Sequence, residues 1–337
     1  MKTSLVITTI NRLNKNLKLF STKCRDKNWD FYLIGDKKTK ITTSKKNHFY
    51  FDIPRQKKTS LSFAKICPEN SYSRKNIGYL LSYLNGNEII VETDDDNLPK
   101  RNFFNKIKLN QRVERIKNSG WINIYDLFTS KKKHNVWPRG LPLDELLDKK
   151  IFLKKRKSYK KYLIQQGVSE INPDVDAIYR FTQKKINIKF KNYKVSLGDS
   201  LSPFNSQNTI WHTSLLPLMY LPVTCTMRCT DIWRSLITLQ IMRANKLEIL
   251  FFGTSMYQIR NKHDLYQDFK DEVPAYLHNK KIINILENIK FEKGKKNFLL
   301  NLKKSYDELI KYKIFDPKEK KFLNAWINDC KKLMNYK

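Results

Sequence analysis

Three adjacent carboxylates, Asp94-Asp95-Asp96, follow the apolar run Ile89-Ile90-Val91-Glu92-Thr93. Packed side by side they repel one another by on the order of 1 kcal/mol per pair, even when well solvated. A hard cation, Mg²⁺ or Mn²⁺, removes that repulsion, because both ions take oxygen ligands and bridge protein carboxylates to substrate phosphates. Bound there, such an ion would neutralise the charge growing on a departing diphosphate. The plain alternative is a solvated acidic turn that caps the next element. Position favours the cation: the triplet ends a buried strand, in a chain with 66 Lys+Arg against 32 Asp+Glu.

The surrounding pattern supplies the elements that position the triplet. Ser4–Ile10 reads as a strand, Lys15–Arg25 as a helix with Leu17, Leu19, Phe20 and Cys24 at helical spacing, and Phe31–Ile34 as a second strand closed by Gly35-Asp36. Phe49–Ile53 reads as a third strand, and Ser71–Leu84 as a helix stopped by Asn85-Gly86-Asn87. This alternation predicts βαβ units on a parallel sheet. Ligands of such sheets bind beyond the carboxyl ends of the strands, where the triplet lies. Lys100–Asn118 is expected to be an amphipathic helix and Trp121–Tyr125 a strand. The fold class is therefore α/β, with residues 1–125 as a doubly wound nucleotide-binding half. Residues 126–260 form a mixed second half of the same domain, with a basic, irregular Lys131–Lys161 stretch and a helix from Asp231 to about Ala244. Residues 261–337 read as a basic helical extension that packs on the body or presents a basic face. In it, Asp316-Pro317-Lys318-Glu319 reads as an N-cap, a proline at the first helical position and an acid at the third.

Composition narrows the class further. With 40% hydrophobic residues and 12% aromatics the chain can bury a sizeable core. No run of 18 apolar residues appears, and the N-terminal Met-Lys-Thr-Ser-Leu-Val-Ile reads as a first strand rather than a signal peptide. Cysteines at 24, 67, 225, 229 and 330 form no paired CxxC, so reduced thiols in a cytoplasm are expected rather than a zinc site or disulfides. The net charge of +34 has three readings: compositional drift, attraction to anionic membrane or acidic polymer, or a nucleic-acid footprint. The lysines are spread along the whole chain and no RNA-binding motif is visible, so specific nucleic acid is not expected. Peripheral contact at an inner membrane surface is.

Acids are few in the second half. Asp174 and Asp176 sit beside Arg180, where Asp176–Arg180 at i, i+4 reads equally as a helical ion pair. Asp231 reads as a helix-start acid favoured by the dipole, with Arg234 a turn on, free to pair with it or to bind phosphate. Asn205, Gln207 and Asn208 carry amide donors and acceptors suited to sugar hydroxyls, or to a hydrogen-bonded turn. Trp137 and Trp211 could stack on a sugar or pack in the core.

Six segments, in order, carry a resemblance. They are Thr8-Thr9-Ile10-Asn11, Val91–Asn97, Trp137-Pro138-Arg139-Gly140-Leu141-Pro142, Pro173–Arg180, Pro203–Thr209 and Asp231-Ile232-Trp233-Arg234. Together they resemble the STELLO-type glycosyltransferases, of the GT-A fold, with a looser similarity to the reversibly glycosylated polypeptides. The likeness extends to about residue 245, and the tail beyond residue 260 has no expected counterpart. The chain is expected to be a stand-alone catalytic core, without the membrane anchor and additional domain of plant relatives. The resemblance implies a GT-A-like, mostly parallel sheet flanked by helices, a nucleotide-sugar donor (UDP-linked as the first choice), and a glycan or lipid-linked acceptor. It implies that Asp94 and Asp96 hold the metal and diphosphate, with Asp95 beside them, and that His212 is a further ligand. Thr9, Asn11 and Arg12 would line the nucleotide pocket, Asp36 would accept a hydrogen bond from the base, and Arg74 and Asn76 would face ribose or phosphates. Asp231, or else Asp176, would be the catalytic base that inversion requires. Trp137, Arg139, Asp174, Arg180, Asn205, Gln207, Asn208 and Arg234 would contact acceptor or sugar.

Two other readings compete. A sugar-nucleotide mutase or nucleotidyltransferase keeps the fold, although Thr8-Thr9-Ile10-Asn11-Arg12-Leu13 lacks the glycines of a nucleotidyltransferase loop. A non-enzymatic basic module binding anionic polymer fits the charge but not the acids.

Overall fold

The computed structural model describes residues 1–39, 47–129, 136–147, 154–183, 188–259 and 264–335. The strands of the first half are β1 Thr3–Thr9, β2 Asp30–Gly35, β3 His48–Phe51, β4 Ile89–Asp94, β5 Asn97–Pro99, β6 Asn110–Ile116 and β7 Gly120–Trp121. Those of the second are β8 Lys155–Lys161, β9 Ile164–Ile171, β10 Lys194–Ser196, β11 Ser200–Leu201, β12 Asn208–His212 and β13 Ile249–Gln258. The helices are α1 Lys15–Asp26, α2 Ile53–Lys57, α3 Ser62–Ile66, α4 Lys75–Leu84 and α5 Asp144–Leu147. They continue with α6 Ala177–Thr182, α7 Met227–Ala244, α8 Leu265–Glu287, α9 Phe298–Lys311 and α10 Glu319–Met334.

Eleven strands form one sheet in the order β3-β2-β1-β4-β12-β9-β13-β10-β6-β8, with β5 pairing β13. The first four strands are all parallel. The expectation of an α/β fold with a parallel sheet flanked by helices is met, and β12 begins an antiparallel interruption beside β4. β1 and β2 are buried along nearly their whole length, as strands covered on both faces must be. α4 presses on them at Gly78, where any Cβ would collide with Val6 and meet Ile34.

Two elements differ from the sequence pattern. Lys100–Asn118 is not a helix: Arg101–Phe104 is a 3₁₀ turn that sets Phe103 and Phe104 against Phe20 and Trp29. Asn110–Ile116 is a strand held between β10 and β8. Pairing on both edges overrides the local helical spacing. Of the expected Trp121–Tyr125 strand only Trp121 lies in one, the two-residue β7, and Ile124–Leu127 turns into 3₁₀. The basic stretch expected to be irregular ends in the edge strand β8, while residues 130–135 and 148–153 lie outside the described residues.

The C-terminal helices pack on the body and share its core, which runs from Val6 to Cys330. Their buried acids tie distant backbone. The Asp329 carboxylate accepts Ser62 N and Phe63 N at 2.8 Å, capping α3. Glu319 accepts Tyr220 Oη at 2.5 Å and Thr224 N at 2.7 Å. The expected cap at Asp316 is real but shifted: Asp316 accepts Lys318 N at 2.7 Å and the helix starts at Glu319. Among the described residues, no helix is long and apolar enough to cross a membrane.

Candidate functional site

The acidic triplet sits at the carboxyl end of β4, as the pattern requires, and its three side chains part company there. Asp94 Oδ1 accepts Lys75 Nζ at 2.7 Å and Tyr72 Oη at 2.8 Å. Asp95 Oδ2 turns back to Thr9 Oγ1 at 2.5 Å and Asn11 Nδ2 at 3.1 Å. Asp96 Oδ2 accepts Gln258 Nε2 at 3.2 Å, while its Oδ1 is buried with no hydrogen-bond partner. Thr9, Asn11, Asp94, Asp95 and Asp96 are thus brought together; Arg12 is exposed nearby in the same loop. Burial raises the Asp94 carboxyl above the usual range, against the pull of Lys75. Burial, followed by the negative charge of Asp94, pushes Asp96 up to about 7. Asp94 and Asp96 are thus two neighbouring carboxyls that burial makes hard to ionise, one of them with an oxygen that no protein group satisfies.

Among the described residues no set of three His, Cys, Asp or Glu side chains is arranged around one metal position. Two carboxylates still suffice for Mg²⁺ or Mn²⁺, which keep waters and take phosphate oxygens as further ligands. The donor set fits such an ion through Asp96 Oδ1 and the Asp94 oxygen that Lys75 leaves free. His212 is not part of it. It sits opposite Ile89 at the far end of β4, and its Nδ1 accepts Ser214 N at 3.1 Å, starting the next 3₁₀ turn.

Several other expected contacts prove internal. Asp36 accepts Asn70 N and Ser71 N at 2.9 and 3.0 Å, so it anchors a loop instead of presenting itself to a base. Arg74 is 1% exposed; it donates to Gln56 Oε1 and to Cys67 O. Asn76 clamps the Leu221 backbone on both sides, at 2.8 and 2.9 Å. Arg234 neither binds phosphate nor pairs with Asp231. It forms a buried two-pronged pair with Glu92 at 2.7 and 3.1 Å. Asn208 is used up by Ser255, and Trp211 is fully buried.

On the other side of the triplet a second cluster forms. α7 begins at Met227, earlier than expected, so Asp231 lies inside the helix and not at its start. Arg139 grips two acids at once: Asp174 through Nε and Nη2 at 2.9 Å, and Asp231 through Nη1 and Nη2 at 3.0 Å. The loop that delivers Arg139 turns at Gly140, whose φ of +88° and close approach to Ile232 exclude a side chain. Asp231 also accepts Ser206 N and Oγ, at 3.2 and 3.3 Å. It is 5% exposed and fully engaged, a poor position for a base. Asp176, the other candidate base, caps α6 at Tyr179 N (2.7 Å) and accepts Trp137 Nε1 (2.6 Å). Burial pushes it up to about 6. Arg180 donates to Pro173 O at 3.1 Å.

Asp174 is different, because it lines a narrow cleft with Tyr125, Gln166, Ser169, Asn205 and Gln207. Burial works to raise its carboxyl, but the Arg139 fork outweighs that and holds it well below the usual range. Asn205 Nδ2 donates to Asp174 Oδ2 at 2.8 Å. Gln207 Nε2 reaches Asn97 Oδ1 at 3.2 Å, which joins the cleft to the residue after the triplet. Ser169 Oγ is buried in the cleft wall without a partner.

Sequence reasoning missed four residues of this arrangement: Tyr72, Lys75, Ser206 and Gln258. Ser206 Oγ touches Tyr72 Oη and Asp231, so it couples the two acid clusters. Lys75 carried a readable signal. A lysine at the first position of a helix opposes the dipole, and such a misfit asks for an acidic partner, here Asp94.

Comparison with known proteins finds one family and two named relatives. Residues 228–337 match the family model described as STELLO glycosyltransferases. The Arabidopsis thaliana protein named "Probable glycosyltransferase STELLO1" is 29% identical over 231 residues, covering 61% of this chain and 29% of the plant protein. The A. thaliana protein named "Probable glycosyltransferase STELLO2" is 28% identical over 233 residues, covering 62% of this chain and 30% of that protein. The chain therefore spans under a third of the length of these curated relatives. The family match also corrects the expectation that the likeness ends near residue 245, since it runs through α8, α9 and α10. The chain is thus similar to the STELLO glycosyltransferases, and the match to their family model lies over α7 and the C-terminal helices.

Proposed function

We propose that the chain is a glycosyltransferase that takes a sugar from a nucleotide-sugar, UDP-linked as the first choice, with Mg²⁺ or Mn²⁺ bound at Asp94 and Asp96. The observation that carries this is the orphaned Asp96 oxygen, in a carboxyl pushed up to about 7 beside a second raised carboxyl. A divalent ion held there, when present, would supply charge neutralisation to the diphosphate. The protein's own groups do the rest. Lys75 and Tyr72 fix Asp94 in place, and Thr9 and Asn11 fix Asp95. Asp174, Asn205 and Gln207 line a crevice beside Asn97 whose free space of about 10 Å³ holds one water molecule and not a sugar ring. Arg139 keeps Asp174 ionised and, with Asn205, occupies both its oxygens, so that it holds the wall of the crevice in shape. Asp231 serves as the second anchor of Arg139. The acceptor is a glycan or a lipid-linked glycan.

The test is calorimetric binding of UDP, GDP and CDP, with and without Mn²⁺, to the wild type and to Asp94→Ala/Asp96→Ala. Mn²⁺-dependent binding of one nucleotide that the double variant loses is the expected result. No Mn²⁺-dependent binding of any of the three would overturn the assignment.

A further inference from the structure

We propose that the open face of the β6–β8 strand pair docks on an anionic lipid bilayer, with Arg112, Lys157, Tyr159 and Lys161 at the contact. This holds whether or not a nucleotide-sugar binds at Asp94 and Asp96. β8 carries Lys155, Arg156, Lys157, Lys160 and Lys161 in seven residues and is the last strand of the sheet. Successive side chains point to opposite faces. The register with β6 sorts them: Lys157 lies opposite Glu114, Tyr159 opposite Arg112 and Lys161 opposite Asn110. The two faces differ. On one, Val113 is buried with Tyr162 and Leu250, and Lys160 and Arg115 share the buried Glu248. On the other, Asn110, Arg112, Lys157, Tyr159 and Lys161 are exposed, Tyr159 by 69%.

The charge of that face is not cancelled locally. The acids beside these strands are Glu114, Asp199 and Glu248, and each is engaged. Glu114 accepts Tyr193 Oη and pairs with Lys155, while Arg115 binds both Asp199 and Glu248. Arg112 and Lys161 take part in no hydrogen bond or ion pair among the described residues, and Lys157 meets only the field of Glu114. In sequence, residues 148–153 before the strand add Lys149 and Lys150 against Asp148. The surplus reaches neighbouring groups. Burial and then Lys161 lower Lys295, and burial and then Lys108 lower Lys194.

Edge strands carry lysine to block pairing with other chains. That explains part of β8 but not Arg112, whose strand has neighbours on both edges. It does not explain an exposed Tyr159 among the cations either. A single nucleic-acid strand is held in a groove that follows its backbone, with several rings for its bases. This face is an open strand pair with one ring clear of its surroundings. A bilayer asks for less: a cluster of cations that meets its anionic headgroups in one plane, and an aromatic ring at their level.

Sedimentation of the full chain with phosphatidylcholine vesicles, with and without phosphatidylserine, tests this. The expected result is binding that needs phosphatidylserine and weakens with salt. Arg112→Gln/Lys157→Gln/Lys161→Gln should weaken it by about 20- to 100-fold. Lys321→Gln/Lys331→Gln/Lys332→Gln, which removes the same charge from exposed positions of α10, should bind within about 2-fold of the wild type. Equal loss in both variants would mean that net charge alone is at work, and would overturn the proposal. So would undiminished binding by the β6–β8 variant. Tyr159→Glu puts a negative charge at the centre of the face in a single exposed position, and gives a second reading if the triple variant does not fold. It should weaken vesicle binding by about 5-fold or more, and unchanged binding would overturn the proposal. Fluorescent single-stranded poly(U) is the competing probe. Loss of poly(U) binding by either variant, with vesicle binding intact, would assign the face to nucleic acid instead.

Discussion

Two acids stand two residues apart on β4 and meet opposite fates. Glu92 is fully buried, and every group around it is spent on it: Arg234 at 2.7 and 3.1 Å, Trp211 Nε1 at 2.8 Å, and Tyr79 Oη. The Arg234 guanidinium also lies 5.1 Å from the Trp211 ring centre. Asp94 is held on one oxygen only, and Asp96, two residues further on, has an oxygen with no partner. A closed ionic cluster holds the fold together. An open one, at the end of the same strand and built of the same chemistry, leaves an Asp96 oxygen without a protein partner. The contrast also separates the two arginines of the sequence motifs: Arg234 belongs to the closed cluster, and Arg139 links α7 to the wall of the cleft.

The largest effect should come from opening the closed cluster. Arg234→Met leaves Glu92 buried and unpaired, which costs about 3–5 kcal/mol. We expect the melting temperature to fall by about 4–7 °C, read by circular dichroism. Melting like the wild type would mean that Glu92 is not held as described. Next in size is the open cluster. Asp96→Ala, which leaves the buried Lys75–Asp94 pair in place, should weaken Mn²⁺-dependent nucleotide binding by about 100-fold or more, with a melting temperature close to that of the wild type; adding Asp94→Ala strips buried Lys75 of its carboxylate and should lower the melting temperature as well. An Asp96→Ala variant that unfolds would show that this acid is structural, and the contrast would collapse.

A pH series sharpens the comparison. Asp96 has a folded-state carboxyl near 7, above the ordinary value of 3.8, so the folded state binds the extra proton between those limits. Its contribution to stability is therefore greatest at low pH and declines as pH rises toward 7. A cation competes with that proton, so Mn²⁺ should raise the melting temperature strongly at pH 8 and little at pH 5.5. Asp96→Asn should be more stable than the wild type at pH 8 without metal, and should lose the Mn²⁺ response. A Mn²⁺ shift that is equal at both pH values would remove Asp96 from the site.

The sheet and the triplet were legible because they obey local rules. β1, β2 and β4 are apolar runs with period-free burial, and the acids follow them directly. The errors came from partners far away in sequence. The family resemblance put Arg74 and Asn76 beside ribose or phosphates, yet Gln56, Cys67 and Leu221 claim them. Asp231 looked like a helix-start acid until Arg139, 92 residues earlier, took it. Asn110–Ile116 became a strand because β8 and β10 lie on both sides of it. Polar residues at plausible positions are common in a chain of this composition, and only long-range pairing tells a satisfied one from an open one. The C-terminal helices were read correctly as helices, but their function as anchors through Glu319 and Asp329 needed the structure.

The smallest expected effect tests the far end of the same strand. β12 runs antiparallel to β4, with His212 opposite Ile89 and Asn208 opposite Thr93. Asp94 is five residues beyond Ile89, about 16 Å along the strand, too far for a shared ion. The imidazole is held neutral, first by burial and then by the positive charges of Lys161 and Lys295, and it starts the following 3₁₀ turn by accepting Ser214 N. His212→Ala should thus cost about 1 kcal/mol, as the loss of a turn cap does, and leave the Mn²⁺-induced rise in melting temperature at pH 8 unchanged. A variant that keeps its stability but loses the Mn²⁺ response would move the cation to the opposite end of β4, and with it the open cluster on which the assignment of the site depends.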